Sequence, residues 1–223
     1  MKSFSLIVPI AADKPLYASE MPYVFRLAND GIMQCIKSVL GLNLEVFDNI
    51  YFTILDKHDK QYCLSDLFCL QFKRLKMSNA KIVVLKETRS QADTIYKTIM
   101  HEKISGSVFV KDADCSFVCE IDRKNSVAIY PLENLQWVNP QHKSYVQVDD
   151  MYYITNIIEK KIVSHYFCAG GYCFEHVEDY CKYYKTLQNN DGLFISHIIY
   201  SMLLDKNIFR PIIIDEYIDF ECV

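Results

Sequence analysis

The chain has 223 residues, of which 51% are hydrophobic, and a formal net charge of −4. This is enough to bury a sizeable core, and we expect a single domain over residues 1–223 because no Pro/Gly/Ser-rich linker or internal repeat divides the sequence. The basic residues form no cluster, which argues against a nucleic-acid partner. No window approaches the roughly 20 apolar residues of a spanning helix, so we predict no membrane partner.

Cysteine content and the first residues bear on the cellular compartment. The apolar run in "MKSFSLIVPIAADKP" is short for a signal-peptide core and lacks a small-residue cleavage pattern. Nine cysteines, an odd number without an export signal, predict reduced thiols and a cytoplasmic location. The cysteines form no C-x-x-C pair and the histidines no i, i+4 pair, so we predict neither a zinc site nor a histidine-based triad.

The first half of the chain alternates strand and helix patterns. Continuous apolar runs predict buried strands, and apolar residues at helical spacing predict helices between them. Because a parallel strand needs a long crossover, this alternation predicts an α/β fold with a mixed, mostly parallel sheet flanked by helices. We predict strands at 3–10, 47–55, 80–85 and 106–111, helices within 29–41 (capped by Asn29 or Asp30), 62–76 and 90–102 (capped by Ser90), and a polar loop at 57–62.

The second half has a different rhythm. Four apolar stretches follow one another with short polar breaks, which predicts antiparallel or mixed additions to the same sheet. These stretches cover residues 125–132, 143–150, 152–161 and 163–174, and they are followed by predicted helices at 175–187 and 192–204 and a last strand at 209–215.

Two aspartates follow the fourth predicted strand. The stretch "VFVKDADCSF" places Asp112 and Asp114 directly after an apolar run. In open α/β sheets, residues at the carboxyl ends of strands face the ligand cleft. Two carboxylates one residue apart can share Mg²⁺, which bridges phosphate oxygens in phosphoryl transfer. The alternative is an Asx turn, in which the carboxylates bond to nearby backbone.

Several stretches, in a common order, resemble the sugar nucleotidyltransferase family over almost the whole chain. "LIVPIAA" resembles the family's first strand before the phosphate loop, "FDNIYFTIL" its second strand, and "ETRSQADTIYKTI" the helix start that reads the base. "VFVKDADCSF" resembles the strand that presents the metal-binding aspartate, "ITNIIEKK" a strand ending in Glu-Lys, "CAGGYCF" a Gly-Tyr-x-Phe strand, and "EYIDFECV" the segment with the second metal ligand. The resemblance implies a glycosyltransferase-A-like (Rossmann-like) fold.

The resemblance also implies roles for individual residues. Asp114 and Asp219, with help from Asp112, would hold Mg²⁺ as cofactor. Glu159 and Lys160 would contact the sugar phosphate, although "EKK" without the resemblance favours an ordinary solvated charge run at a strand end. The substrate-binding residues expected on this basis are Ala11, Ala12, Ser90, Gln91, Glu159, Lys160, Gly170 and Gly171.

Two of these pairs have an alternative interpretation. Ser90 and Gln91 stand at a helix start, where they could read a base or simply cap the helix. A glutamine amide offers both a donor and an acceptor to a pyrimidine edge, which favours CTP or UTP. Gly170 and Gly171 mark either a place where ligand or backbone comes close or a β-bulge.

The first loop departs from the family pattern. The family has a glycine-rich loop with an arginine, because backbone N–H groups approach the triphosphate closely. This chain has "AADKPLYASEMPYVFRL", with no glycine between Pro9 and Gly31. Lys14 or Arg26 could supply the positive charge from a shifted position.

Two polar segments hold further candidates. His58 with Asp59, and His142 with Lys143, could contact ligand or could belong to ordinary turns.

The sequence therefore predicts a cytoplasmic, Mg²⁺-dependent nucleotidyltransferase that joins CTP or UTP to a phosphorylated sugar or alcohol with release of pyrophosphate. We expect a role in surface polysaccharide (capsule or lipopolysaccharide) biosynthesis. The alternatives are a glycosyltransferase of the same fold that uses a nucleotide sugar, and a non-catalytic nucleotide-binding homologue.

Overall fold

The computed structural model describes residues 3–11, 21–134 and 142–220. Its elements build a large mixed sheet, a separate two-stranded ribbon and helices on both faces of the sheet. The strands are β1 (Phe4–Pro9), β2 (Asn49–Leu55), β3 (Ala80–Leu85), β4 (Ser107–Lys111), β5 (Cys115–Val118), β6 (Ser126–Pro131), β7 (Ser144–Val148), β8 (Ile154–Glu159), β9 (Tyr166–Phe174), β10 (Arg210–Ile213) and β11 (Asp215–Asp219). The helices are α1 (Gln34–Lys37), α2 (Asp56–Tyr62), α3 (Leu64–Arg74), α4 (Gln91–Glu102), α5 (Val177–Leu187) and α6 (Ile195–Leu204).

The large sheet has the strand order β10-β6-β9-β4-β1-β2-β3, and β7 extends it by pairing with both β8 and β9. Strands β4, β1, β2 and β3 are parallel to one another, and β10 is parallel to β6. Strand β9 runs antiparallel to its neighbours β4 and β6. The predicted α/β class with a mostly parallel sheet and antiparallel or mixed additions is therefore confirmed.

Two apolar clusters cover the two faces of the sheet. Side chains of β1 alternate between them: Leu6 and Val8 belong to the cluster that includes α3, and Ile7 belongs to the one that includes α4, α5 and α6. Every residue of β1 and β4 is buried, as expected for strands covered on both faces. The parallel strands therefore end at one shared edge, where β4 delivers Lys111 and Asp112.

Two local predictions are wrong, and one pair of strands was not predicted. The helix expected within 29–41 is only α1, and Asp30 instead lies in a turn, where it accepts a hydrogen bond from the Ile32 N–H and pairs with Lys37. The loop expected at 57–62 is α2, which ends at Cys63 in the left-handed conformation before α3 begins. The ribbon strands β5 and β11 were not expected, because short strands without a long apolar run give a weak periodic signal.

No helix in the described parts of the chain is long and apolar enough to span a bilayer. Within those parts eight cysteines form no disulfide bond with one another.

Candidate active site

The aspartate pair lies where β4 leaves the sheet. Lys111, the last residue of β4, is fully buried, and its ammonium donates to the carbonyls of Asp112 (2.8 Å) and Cys115 (2.9 Å). The same ammonium lies 4.4 Å from the centroid of the Phe117 ring. The turn that carries Asp112 and Asp114 is thus tied around a buried cation, because one ammonium satisfies carbonyls at both of its ends.

A bulge in β9 supports this turn from the other side. The pairing of β9 with β6 shifts register between Val127 and Ile129, and Gly170 adopts φ +80° at this point. The Gly170 carbonyl accepts a hydrogen bond from the Asp112 N–H at 2.8 Å, and a Cβ on Gly170 would lie 2.8 Å from the Asp112 side chain. The structure therefore realises the bulge alternative, and the missing Cβ makes room for Asp112.

Gly171 has a different reason to lack a side chain. A Cβ there would lie 2.8 Å from the Phe117 ring and 2.9 Å from both Ala128 and Phe109. Packing around the sheet thus leaves no room for a side chain at position 171. The predicted contact of Gly171 with substrate stays a prediction.

The ribbon of β5 and β11 brings Asp219 to Asp114. The two strands are antiparallel, with Asp219 opposite Cys115, and the Phe220 N–H donates to the Asp114 carbonyl at 2.8 Å. Asp219 is 8% exposed. Two segments that are distant in sequence therefore bring the backbones of Asp114 and Asp219 together at the carboxyl edge of the sheet.

A second lysine bonds to Asp219 and feels the charge of Asp114. The Lys143 ammonium lies 2.7 Å from Asp219 Oδ2 and donates to the Tyr217 hydroxyl at 2.8 Å. Burial alone would lower the pKa of Lys143, but the charge of Asp114 and the hydrogen bond to Asp219 outweigh burial and raise that pKa. The negative charges of Asp114 and Asp219 thus keep the ammonium of Lys143 charged.

Asp112 is the carboxylate with the most perturbed ionisation in the turn. Burial, followed by the negative charge of Asp114, raises the pKa of Asp112 to about 6, although Lys111 and a hydrogen bond from Gln91 act in the opposite direction. Crowded carboxylates of this kind gain from additional positive charge.

The segment predicted to read the base touches the same turn. The Ser90 hydroxyl accepts from the Asp93 N–H at 3.2 Å and caps α4, as predicted. The Gln91 side-chain N–H donates to Asp112 Oδ1, so the start of α4 is tied directly to the aspartate turn. Buried Asp93 anchors this segment by accepting from the Tyr184 hydroxyl at 2.5 Å and the Arg89 N–H at 2.8 Å.

Glu159 and Lys160 lie at the end of β8, beside the first residues of β7. The Glu159 carboxylate accepts from the hydroxyls of Ser144 and Ser196. Lys160 has φ 54°, its N–H donates to the Lys143 carbonyl at 3.0 Å, and its ammonium lies 4.6 Å from the Phe194 ring centroid. Glu159 is thus a braced side chain and not part of a solvated charge run.

The first loop is only partly described. Ala11 is buried just after β1, while Ala12 and Lys14 lie outside the described residues. Arg26 is exposed, and its Nε donates to the Met21 carbonyl at 3.0 Å. Of the polar-segment candidates, His58 is buried 5.7 Å from the Phe25 ring centroid, as a core residue would be.

No protein-family model and no curated protein matches the sequence of this chain. Solved structures do match: the nucleoside-diphosphate-sugar pyrophosphorylase from Vibrio cholerae RC9 has a TM-score of 0.77 at 17% identity, covering 97% of this chain and 96% of that one. The inositol-1-phosphate CTP transferase from T. maritima has a TM-score of 0.73 at 15% identity, covering 97% of this chain and 87% of that one. A UDP-glucose pyrophosphorylase complexed with UDP-glucose has a TM-score of 0.71 at 12% identity, covering 99% of this chain and 94% of that one.

The chain has a GT-A-like α/β fold. The expected fold is thereby confirmed over nearly its full length. Within this fold, Asp112, Asp114 and Asp219 lie at the edge where ligands of open α/β sheets bind.

The donor set at this edge fits magnesium in one particular way. Across the described residues, no group of three or more His, Cys, Asp or Glu side chains is arranged to hold a metal by itself. Magnesium, however, is usually bound by one or two carboxylates together with water and substrate phosphates. Asp114 and Asp219 supply hard carboxylate oxygens of the kind such a site uses, and Asp219 already bonds to the cationic Lys143.

Two lysines of the site were missed or undervalued from the sequence. Lys111 could have been recognised as a charged residue in an otherwise apolar strand directly before the aspartates. Lys143 was grouped with His142 as a turn candidate, because nothing local to positions 139–145 shows that its ammonium reaches β11.

Proposed function

We propose that the protein is a metal-dependent nucleotidyltransferase that transfers a nucleoside monophosphate from CTP or UTP to a phosphorylated sugar or alcohol. The observation that carries the proposal is the convergence of Asp114 and Asp219 at the carboxyl edge of a nucleotidyltransferase fold. The names of the matching structures, which include pyrophosphorylases and a CTP transferase, support the same class of substrates.

In the proposed reaction, an oxygen of the acceptor's phosphate attacks the α-phosphorus of the triphosphate in line. A new P–O bond forms as the bond to the β-phosphate's bridging oxygen breaks, and pyrophosphate leaves. Asp114 and Asp219, with Asp112 beside them, would hold Mg²⁺, whose contribution when bound is to neutralise charge on the phosphates. Lys160, together with Lys14 or Arg26, would bind phosphate oxygens.

Other residues of the chain would arrange the site. Lys111 and Gly170 fix the aspartate turn, and the hydrogen bond from Gln91 to Asp112 couples that turn to the start of α4. We propose that this helix start faces the base. Because one amide N–H of Gln91 is engaged by Asp112, the amide oxygen is the group we assign to base contact.

A thermal-shift panel of the four common triphosphates, with and without Mg²⁺, tests binding. A triphosphate at about 100 times its dissociation constant adds about 2.7 kcal/mol to stability, or about 5 to 10 °C in a domain of this size. We expect a shift with CTP or UTP that disappears on adding EDTA. A shift that is the same with EDTA would contradict the metal requirement.

Pyrophosphate release tests the reaction itself. Protein, Mg²⁺ and CTP or UTP are incubated with glucose 1-phosphate, inositol 1-phosphate or other phosphorylated sugars and alcohols, and pyrophosphate is measured enzymatically. Asp114→Asn should abolish release by at least about a hundredfold while the unfolding curve is unchanged, because a group that acts in the transition state contributes several kcal/mol there. Near-normal turnover in Asp114→Asn would mean that the site is misplaced.

Two other outcomes identify the alternatives. Release of a nucleoside diphosphate from a nucleotide sugar, without pyrophosphate release, would indicate a glycosyltransferase. Binding of triphosphate without any turnover would indicate a non-catalytic homologue. We further propose a role in surface polysaccharide biosynthesis, which a genetic disruption followed by analysis of the cell-surface carbohydrate would test.

A further inference from the structure

Lys143 interacts electrostatically with both Asp114 and Asp219. Its side chain is 15% exposed and its ammonium bonds to Asp219 Oδ2 at 2.7 Å and to the Tyr217 hydroxyl at 2.8 Å. The charge of Asp114 raises the pKa of the same ammonium. A lysine with these contacts is a built element of the site, since exposed lysines rarely hold a single geometry.

The backbone of Lys143 is fixed independently of these contacts. Its carbonyl accepts from the Lys160 N–H at 3.0 Å, at the end of the β7–β8 hairpin, and the next residue, Ser144, pairs with Glu159 in the hairpin register. Lys143 therefore starts in the segment proposed to bind the acceptor's phosphate and reaches with its side chain to the proposed metal ligand on β11. It joins the two halves of the site.

An ammonium and a divalent cation cannot both bind one carboxylate oxygen without weakening each other's binding. Asp219 Oδ2 is bonded to an ammonium, and a divalent cation on Asp114 and Asp219 would occupy the same region of negative charge. A cation that binds Asp219 must therefore displace the ammonium of Lys143 or share the oxygen with it. A displaced ammonium that stays largely buried requires another anion.

We propose that Lys143 competes with a divalent cation for Asp219 and, when displaced, binds a phosphate oxygen of the substrate. This inference rests on the proposed function, and it adds a substrate-binding residue to it. Cation binding and phosphate binding are coupled in this arrangement. The cation replaces Lys143 at Asp219, and the phosphate binds the ammonium that the cation has displaced.

The test uses Lys143→Met, which keeps the length of the side chain and removes the charge. Mn²⁺ is titrated into the full chain without nucleotide, and free Mn²⁺ is measured by electron paramagnetic resonance. We expect Mn²⁺ to bind about tenfold or more tightly to Lys143→Met than to the wild type, because hydrogen bonds between charged groups contribute on that scale. Binding of CTP and UTP is then measured calorimetrically at saturating Mn²⁺, which displaces Lys143 from Asp219, and there the variant should lose about tenfold in affinity.

The opposite signs of these two effects distinguish competition from a structural role, which would weaken both kinds of binding or leave both unchanged. Lys124→Met is the charge-matched control: Lys124 pairs with Glu175 near the start of β6, at the opposite edge of the sheet from Asp112. It should change neither affinity by more than about twofold. Lys143→Gln, which can still hydrogen bond to Tyr217, is the second variant if Lys143→Met does not fold.

Mn²⁺ affinity that is unchanged or weaker in the Lys143 variants would overturn the competition. Unchanged triphosphate affinity at saturating Mn²⁺ would overturn the phosphate contact. Both measurements are independent of turnover. If pyrophosphate is never released but Mn²⁺ binds more tightly to Lys143→Met, the proposed function fails and the competition stands.

Discussion

The aspartate turn depends on the absence of a side chain at Gly170, and Gly170→Ala measures that dependence. Gly170 has φ +80°, and an added Cβ would lie 2.8 Å from both Cβ and Oδ2 of Asp112 and 3.0 Å from Cys115 Sγ. The left-handed backbone alone costs an alanine about 1 kcal/mol. Crowding in a packed site costs about 1 to 3 kcal/mol more, so we expect a total loss of about 2 to 4 kcal/mol.

Gly192 is a matched control. It also has a positive φ, +66°, but a Cβ there would meet nothing within 4 Å. Gly192→Ala should therefore show the backbone cost alone, about 1 kcal/mol. Both changes restrict the unfolded chain equally, so that effect cancels in the comparison.

The assay is urea unfolding followed by circular dichroism, with the free energy of unfolding obtained by linear extrapolation at a common slope. We expect Gly170→Ala to be less stable than Gly192→Ala by about 1 to 3 kcal/mol. Triphosphate binding should also weaken in Gly170→Ala, since Asp112 must move, and remain normal in Gly192→Ala. Equal free energies for the two variants would show that the contact with Asp112 does not constrain position 170.

Two further predictions use the same unfolding assay. Lys111→Met leaves the buried carbonyls of Asp112 and Cys115 without their shared donor, so we expect the free energy of unfolding to fall by about 1 to 3 kcal/mol. A fall of under about 0.5 kcal/mol, as for a typical surface substitution, would contradict the bracing role of Lys111. Burial alone would raise the pKa of Asp93, but hydrogen bonds, the first from Tyr184, hold that pKa below its usual value of 3.8. The stability that this carboxylate adds is therefore present above about pH 4 and lost as the pH falls below it. Asp93→Asn should cost about 1 to 3 kcal/mol at pH 7 and less below pH 4, and a difference that does not depend on pH would refute the assignment.

The sequence determined the α/β architecture because its signals are local. Buried strands such as β1 and β4 are short continuous apolar runs, and α4 carries both its apolar spacing and its Ser90 cap in consecutive residues. The position of Asp112 and Asp114 after β4 followed from the same reasoning, since a residue that ends a parallel strand lies at the shared carboxyl edge.

Other local signals were misleading. The apolar spacing after Gly31 favours a long helix, but the structure forms only α1, because Asp30 bonds with Ile32 and Lys37 in a turn. Polar residues 57–62 lack the apolar residues that identify a core helix, and they form α2 with only His58 buried. Tertiary packing outweighs weak local preferences in segments of this length.

Only the tertiary structure decided how the site is assembled. Asp219 reaches Asp114 because β11 pairs with β5 in a particular register, and Lys143 reaches Asp219 because the β7–β8 hairpin fixes where its side chain begins. Such pairings join residues that are far apart in sequence, and strand register depends on the whole buried face and not on any single segment. The periodicity of a single sequence therefore fixes which strands and helices form, whereas the meeting of two carboxylates and a lysine at one edge is a property of the folded chain.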